Sequence, residues 1–218
     1  MIFVVPRIVE QFANFGGELP ALTVAVIAVS NFLTAYGGVL AIVIVLAVAG
    51  FMFGMRHAAF RLSVHTFMLK LPIIGGLVRT VNAARFARAF GTLVNGGSPV
   101  LEGLYAARAT LLNMRMRAGL DMTIAQVREG ASLSQTLRRS GQFPPMLSYM
   151  IAAGERSGQL SDMLTKVADY LDSDFDSFTK TALGLLEPLI VIFMGTVVGA
   201  IVVSIMLPIL QLNQLVLS

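Results

Sequence analysis

The sequence predicts an all-α membrane protein in which two transmembrane helices flank one cytoplasmic helical bundle of about six helices. Two uncharged apolar stretches support this fold class, GGVLAIVIVLAVAGFMFGM at 37–55 and PLIVIFMGTVVGAIVVSIML at 188–207. Each has about 20 residues, enough for a helix to cross the hydrocarbon core of a bilayer. The third observation is that 15 of the 16 Lys and Arg residues lie between these stretches.

The distribution of positive charge predicts the orientation of the chain. Arg56 and Arg61 directly follow the first stretch, Lys180 shortly precedes the second, and basic flanks are retained in the cytoplasm. We therefore expect both termini on the far side of the membrane. The predicted order is an N-terminal segment at 1–36, a transmembrane helix at 37–56, the bundle at 57–182, a transmembrane helix at 183–210 and a tail at 211–218.

The segment before the first span is apolar but interrupted. Its run from Ala21 to Val29 is too short to cross a bilayer, and Ser30, Asn31 and Thr34 follow it. This pattern predicts an interfacial helix that turns into the membrane at Gly37–Gly38. A signal peptide is not expected here, since no basic region precedes an apolar core and no cleavage site follows.

Within the central block, helical spacing alternates with turn residues. The apolar face of one helix contains Phe86, Ala89, Phe90 and Leu93, with Arg85 and Arg88 opposite. Glycine-containing turns at 95–97, 140–141 and 157–158 predict helix ends, and Ser132 with Gln135 has the spacing of a capping box. The last helix has an apolar stripe from Leu160 to Phe178, and Pro188 predicts a kink where it meets the membrane.

No catalytic, cofactor or metal motif is found. The chain has no cysteine, no phosphate-binding GxxxxGK[ST] loop and neither HExxH nor GxSxG, so we expect no enzyme and no cofactor. Asp172, Asp174 and Asp176 resemble the start of an EF-hand loop, but Ser177 and Leu183 occupy the positions that need Gly and Glu. Nucleic-acid binding is disfavoured because acidic residues are interspersed among the basic ones.

Glycines recur at helix-packing spacing in both spans. Gly50 with Gly54 and Gly195 with Gly199 each form a GxxxG motif, which allows helix backbones to approach closely. The motif is common in transmembrane helices, so it predicts tight packing and a homo-oligomer only weakly. A small transporter subunit would need polar side chains inside the spans, and only Thr196 and Ser204 are present there.

Five stretches of the chain carry a family resemblance. They are FPPMLSYMIAAGERSGQL at 143–160, ARFARAFGTLVNGGSPVLEGL at 84–104, LLEPLIVIFMG at 185–195, IMLPILQLN at 205–213 and VVPRIVEQF at 4–12. In their order along the chain they resemble the inner-membrane platform proteins of bacterial type II secretion systems, the general secretion pathway protein F family. The related platform proteins of type IV pili share most of these motifs and are the alternative.

The resemblance implies a scaffold in the bacterial inner membrane with both termini periplasmic. Such platforms are thought to couple a cytoplasmic secretion ATPase to pseudopilus assembly for protein export. The implied partners are that ATPase, its membrane-anchored recruiting proteins, pseudopilins, lipid and further copies of the chain, but not nucleic acid. Full-length members have two helical domains and three membrane helices, so this chain resembles the C-terminal half, as a truncated gene or a fragment.

The candidate partner-binding residues come from the family motifs and from the charged faces. They are Gly154, Glu155, Gly158, Arg85, Arg88, Asp169, Asp172, Asp176 and Glu187. Each has a plainer interpretation: the glycines make a turn, Glu155 caps a helix or pairs with a neighbour, and the charged faces are solvated. Glu187 is a functional candidate if it lies inside the apolar boundary, and is merely interfacial if the span begins at Pro188.

Overall fold

A computed structural model describes residues 21–216 of the chain. Every α-helix and 3₁₀ element in that range follows the predicted all-α class, and no strand occurs there. The α-helices are α1 (Ala21–Gly54), α2 (Ala58–Lys70), α3 (Ile74–Asn95), α4 (Val100–Ala107), α5 (Met114–Arg128), α6 (Leu133–Ser140), α7 (Pro145–Ser157) and α8 (Leu160–Val216). The motif VVPRIVEQF and residues 217–218 lie outside the described residues.

The described residues form two compact units. One is the helical bundle, Phe53–Ala182, and the other contains the residues up to Met52 together with those from Leu183 onward. Two helices are long and apolar enough to cross a membrane: Ser30–Gly54 of α1, and α8, where the qualifying segment is Leu160–Ser204. The predicted fold class, with two apolar helices and one helical bundle, is therefore confirmed.

The first apolar helix begins earlier than the sequence suggested. The expected turn at Gly37–Gly38 is wrong, because α1 is helical from Ala21 to Gly54 without a break. The hydroxyl of Thr34 donates to the carbonyl of Ser30, 2.8 Å away, so this polar side chain is satisfied by its own helix. Polar residues at 30–34 therefore do not end the helix, and the stretch that can cross a membrane starts at Ser30.

The bundle is built around α3. Phe86 and Phe90 are fully buried, stack with ring centroids 5.6 Å apart, and are joined by Phe143 from the loop before α7. Each later helix adds apolar side chains to the same core, among them Leu104, Met116, Leu120, Leu137, Leu147, Ile151, Leu164 and Val167. The predicted apolar face of α3 is confirmed at Phe86 and Phe90, while Arg85 and Arg88 on its other face are exposed.

The last helix is less buried than its apolar stripe predicts. The stripe is buried only as far as Leu171, and Phe178 is 43% exposed, so the stripe contributes to the core for three turns only. The helix continues through Pro188 to Val216, so the prediction that it runs into the second apolar stretch is confirmed, and the kink at Pro188 stays a prediction. A proline removes one backbone hydrogen bond but does not end a helix when the flanking residues keep theirs.

One further helix pair is apolar enough to be considered as a third span. Helices α2 and α3 pass the composition test together, but they are bent by 108° at the break between them. Ala83, Phe86, Ala87 and Phe90 of α3 have no solvent exposure because they pack inside the bundle. Since α3 forms the centre of that core, we assign it to the bundle and not to the bilayer.

Candidate docking site

Glu155 joins two helices that are consecutive along the chain. It lies on α7, and its carboxylate accepts hydrogen bonds from the first residues of α6: from Leu133 N at 2.8 Å, Ser134 N at 3.3 Å, Ser132 Oγ at 2.9 Å and Ser134 Oγ at 2.5 Å. These amides are among the donors that a helix N-terminus leaves without an internal partner. Glu155 is therefore the cap of α6, which favours the plainer of its two predicted roles.

The capping box predicted from Ser132 and Gln135 is half correct. Ser132 is the N-cap residue, and its hydroxyl accepts from Gln135 N at 3.4 Å. The side chain of Gln135 makes no hydrogen bond among the described residues, and Glu155 accepts instead from the next two amides, Leu133 N and Ser134 N. A carboxylate also suits the positive end of the helix dipole better than an amide.

The two glycines near Glu155 serve different purposes. A methyl group on Gly154 would lie 2.8 Å from the Cα of Leu160, so only glycine lets α7 approach the start of α8 so closely. Gly158 has a φ of +71° in the left-handed region, which glycine adopts without steric cost. Together they make the tight corner between α7 and α8, and Glu155 projects from α7 one residue after Gly154.

A cavity of about 280 Å³ lies beside this cap, between α6 and α7. Its lining is polar and cationic, and consists of Ser132, Ser134, Gln135, Arg138, Ser148, Tyr149, Ala152, Glu155 and Arg156. The carboxylate of Glu155 is occupied by α6, whereas the side chains of Arg138 and Arg156 make no ion pair with any described residue. Two free guanidinium groups at the rim make the cavity complementary to a carboxylate or another anion.

Arg88 is paired within the bundle. Its guanidinium donates to Asp169 and Asp172 on α8, each at 2.6 Å, and these hydrogen bonds, that to Asp172 first, raise the pKa of Arg88. The three side chains are 45%, 64% and 54% exposed, so the network lies at the surface, where α3 and α8 meet. The close approach of the two helices depends on Gly91, where an added Cβ would lie 3.1 Å from Leu164 Cβ.

Three of the predicted charged residues have no side-chain hydrogen bond or ion pair among the described residues. Arg85 and Asp176 are exposed on α3 and α8 and lie outside the Arg88 network. Glu187 is exposed on α8 next to Pro188, in a segment otherwise free of charge. These three side chains are free to meet a partner.

The four glycines of the GxxxG motifs have different surroundings in the structure. An added Cβ at Gly54 would lie 3.0 Å from the ring of Phe60, so this glycine makes room for the first turn of α2. Gly50, Gly195 and Gly199 have no described atom within 4 Å of that position. Phe60 thus lies against Gly54, no described atom lies against the other three glycines, and the helix-packing role of the four stays a prediction.

A hydrogen-bond network that the sequence did not indicate holds α2 against the bundle. Nδ1 of His65 accepts from Met114 N at 3.0 Å, and Asn113 Nδ2 donates to the carbonyl of His65. Asn113 also caps α5, and Asn82 Oδ1 accepts from the amides of Leu112 and Asn113. Burial, followed by the charge of Arg61, lowers the pKa of His65 and favours the neutral ring that this network requires.

Comparison with known proteins gives consistent results. The family model described as type II secretion system (T2SS), protein F, matches residues 86–208. The chain is 42% identical over 214 residues to the type II secretion system protein F of Pseudomonas aeruginosa, covering 98% of this chain and 53% of that protein. With the protein F of Aeromonas hydrophila it shares 40% identity over 215 residues, covering 98% and 55%.

Type IV pilus assembly proteins are also similar to this chain. The type IV pilus assembly protein PilC of Pseudomonas aeruginosa is 35% identical over 219 residues, which are 99% of this chain and 58% of that protein. The chain spans about half the length of the curated relatives it matches. The relatives therefore contain further residues that this chain does not match.

Proposed function

We propose, because this chain belongs to the type II secretion system protein F family, that it forms part of the platform on which a cytoplasmic secretion ATPase acts. The chain is an inner-membrane protein of that system, with two apolar helices and a helical bundle. In this proposal the partner binds to the bundle. Helix α8 then transmits the effect of binding, because its bounds include both bundle residues and the second apolar stretch. Pseudopilus assembly is the process that it serves.

The observation that carries the proposal is the cationic cavity beside Glu155. It lies within the segment that the family model matches, at the stretch that most resembles the family. Because Glu155 already caps α6, the free groups there are Arg138 and Arg156, and an acidic side chain is the partner chemistry that fits them. We infer that an acidic segment of the ATPase or of its recruiting protein docks in this cavity.

Photocrosslinking in cells tests this docking. A photoreactive amino acid at Tyr149, which lines the cavity and is 60% exposed, should capture the ATPase or its recruiting protein. The matched control is Tyr170, a tyrosine of α8 that is 53% exposed and does not line the cavity. Capture of secretion components from Tyr170 but not from Tyr149, in cells with a working secretion system, would contradict the proposed site.

The orientation of the chain is part of the proposal. The charge distribution supports a cytoplasmic bundle and periplasmic termini, because Arg56 and Arg61 lie within seven residues of Gly54, where the first span ends. Reporter fusions at Ser218 and after Gly130 should give periplasmic and cytoplasmic activity respectively. Cytoplasmic activity at Ser218 would contradict this orientation.

Contacts inside the membrane complete the proposal. The open faces at Gly50, Gly195 and Gly199 support packing against pseudopilins or further copies of this chain. Replacing Gly195 by leucine should weaken chemical crosslinking between copies of the chain in membranes. The same change at Gly184 should not, since Gly184 also has open space but lies outside the motif. An equal loss of crosslinking in both leucine variants would contradict the packing role of Gly195.

Assembly of type IV pili is the second candidate function. The 35% identity to PilC over 99% of this chain supports it. The identity to protein F from the same species is higher, 42%, and supports the secretion function first. Expression in a strain that carries both systems, with capture from Tyr149, separates the two: we expect the secretion ATPase and not the pilus ATPase.

A further inference from the structure

Helix α2 has one face bound to the bundle and one face open. Leu69 is 5% exposed and His65 accepts a hydrogen bond from Met114 N, so these two side chains face inward. Helical residues advance by 100°, which places Phe67 nearly opposite Leu69. Phe67 is 63% exposed, Ile73 in the turn after α2 is 64% exposed, and Ile74, the first residue of α3, is 45% exposed. The open face of α2 and the residues that follow it thus present three large apolar side chains to the surroundings.

The same region contains positive charge alone. No Asp or Glu occurs between Glu18 and Glu102, whereas Arg56, Arg61 and Lys70 lie in or beside α2. Lys70 forms no ion pair with any described residue, and the Nε of Arg61 donates to the sulfur of Met114, a neutral group. These cations remain available for anions, and they stand beside exposed apolar groups.

Covalent connection keeps α2 near the membrane. Only Met55, Arg56 and His57 separate Gly54, the last residue of the first span, from Ala58, the first of α2. Four peptide units extend at most about 14 Å, so α2 begins within that distance of the end of the first span. A helix of 13 residues, about 20 Å long, that begins at such a point has the bilayer surface within reach along its length.

We infer that α2 lies along the membrane surface and binds anionic phospholipids. Phe67 and Ile73 enter the boundary between headgroups and acyl chains, while Lys70, Arg61 and Arg56 contact lipid phosphates. Apolar burial and attraction between cations and an anionic leaflet are the two contributions that hold an interfacial helix.

The absence of tryptophan from the chain makes a direct test simple. In the full chain, Phe67→Trp introduces a single tryptophan at the proposed lipid contact, and Tyr149→Trp introduces one on α7 at nearly equal exposure, 63% against 60%. Both variants are reconstituted in nanodiscs of phosphatidylcholine with increasing phosphatidylglycerol, with bromine on the acyl chains as the quencher. Emission from position 67 should be quenched and shifted to shorter wavelength, and emission from position 149 should not.

The charge dependence is tested by a second substitution. Adding Lys70→Gln to Phe67→Trp should lower the ratio of lipid-bound to lipid-free α2, obtained from the fraction of emission that is quenched, about fivefold in phosphatidylglycerol nanodiscs, the factor expected for one cation at an anionic surface. In pure phosphatidylcholine the same substitution should have no effect. Equal quenching at positions 67 and 149 would overturn the membrane contact and leave the apolar face to a protein partner. Quenching at position 67 that is independent of phosphatidylglycerol and of Lys70 would overturn the anionic recognition.

Discussion

Replacing Glu155 with alanine removes the cap of α6. Two backbone amides, Leu133 N and Ser134 N, lose their acceptor, while the hydroxyl of Ser132 still accepts from Gln135 N. Loss of an N-cap costs about 0.5–2 kcal/mol. Because Leu133 and Ser134 are only 2% and 7% exposed, water has poor access to these amides, and we expect the upper part of that range, about 1–2 kcal/mol.

Hydrogen exchange of the detergent-solubilised full chain measures this loss locally. A change of 1–2 kcal/mol corresponds to about a 5- to 30-fold larger population of the open state, so amides of α6 should exchange faster by that factor. Glu129→Ala is the matched control, since Glu129 is an exposed glutamate whose side chain makes no hydrogen bond among the described residues. Its effect should stay within about 0.5 kcal/mol. Unchanged exchange of α6 in Glu155→Ala would refute the capping role.

Three further predictions use the same exchange measurement. Gly154→Ala should destabilise the corner between α7 and α8 by about 1–2 kcal/mol, because overpacking outweighs the gain in helix propensity, whereas Gly76→Ala, with open space around it, should be neutral or stabilising. Arg88→Ala should cost about 1 kcal/mol at the start of α8, and the loss should shrink at high salt. The pKa of His65 is lowered from 6.5 in the folded chain, so the stability that neutral His65 contributes is present above pH 6.5 and is lost as the pH falls below it. We expect His65→Gln to abolish this pH dependence of stability and His57→Gln to retain it.

Each of these predictions has a contradicting result. Equal exchange in the alanine variants of Gly154 and Gly76 would mean that the contact with Leu160 is not limiting. An Arg88 effect that is the same at all salt concentrations would exclude an ionic origin. A pH dependence that survives in His65→Gln would assign the titration to another group.

Local signals in the sequence were sufficient for the helices and their ends. Gly97, Gly141 and Gly158 have positive φ values, and glycine is the residue that adopts them at low cost, so the turns could be predicted residue by residue. Phe86 and Phe90 are four residues apart and both face the core, as helical periodicity requires. The family resemblance rested on motifs of the same kind, in which short patterns retain their order.

The pairing of the site residues could not be predicted in this way. Glu155 lies 22 residues after Leu133, and Arg88 lies 81 and 84 residues before Asp169 and Asp172. These separations along the sequence are too long for a local motif, and only the tertiary fold brings the partners together. The sequence therefore predicts a capping box with the nearby Gln135 but not the cap that Glu155 supplies, and it leaves Arg88 as an unpaired surface charge.

The turn predicted at Gly37–Gly38 is wrong for a different reason. Polar residues at 30–34 look like interruptions of the apolar run, although a threonine in a helix can satisfy its hydroxyl on the carbonyl four residues earlier, as Thr34 does with Ser30. Hydropathy alone does not include this compensation. The glycines at 37–38 were likewise read as a turn, although they lie inside a helix.

Charge reversal at the rim of the cavity tests the central claim most directly. Arg138→Glu places an acidic group where an acidic partner is proposed to bind, on an exposed side chain without a described partner. We expect co-purification of the full chain with the secretion ATPase or its recruiting protein to be lost, while hydrogen exchange of α6 and α7 stays as in the unchanged chain. Undiminished co-purification with intact folding would show that the cavity is not the docking site.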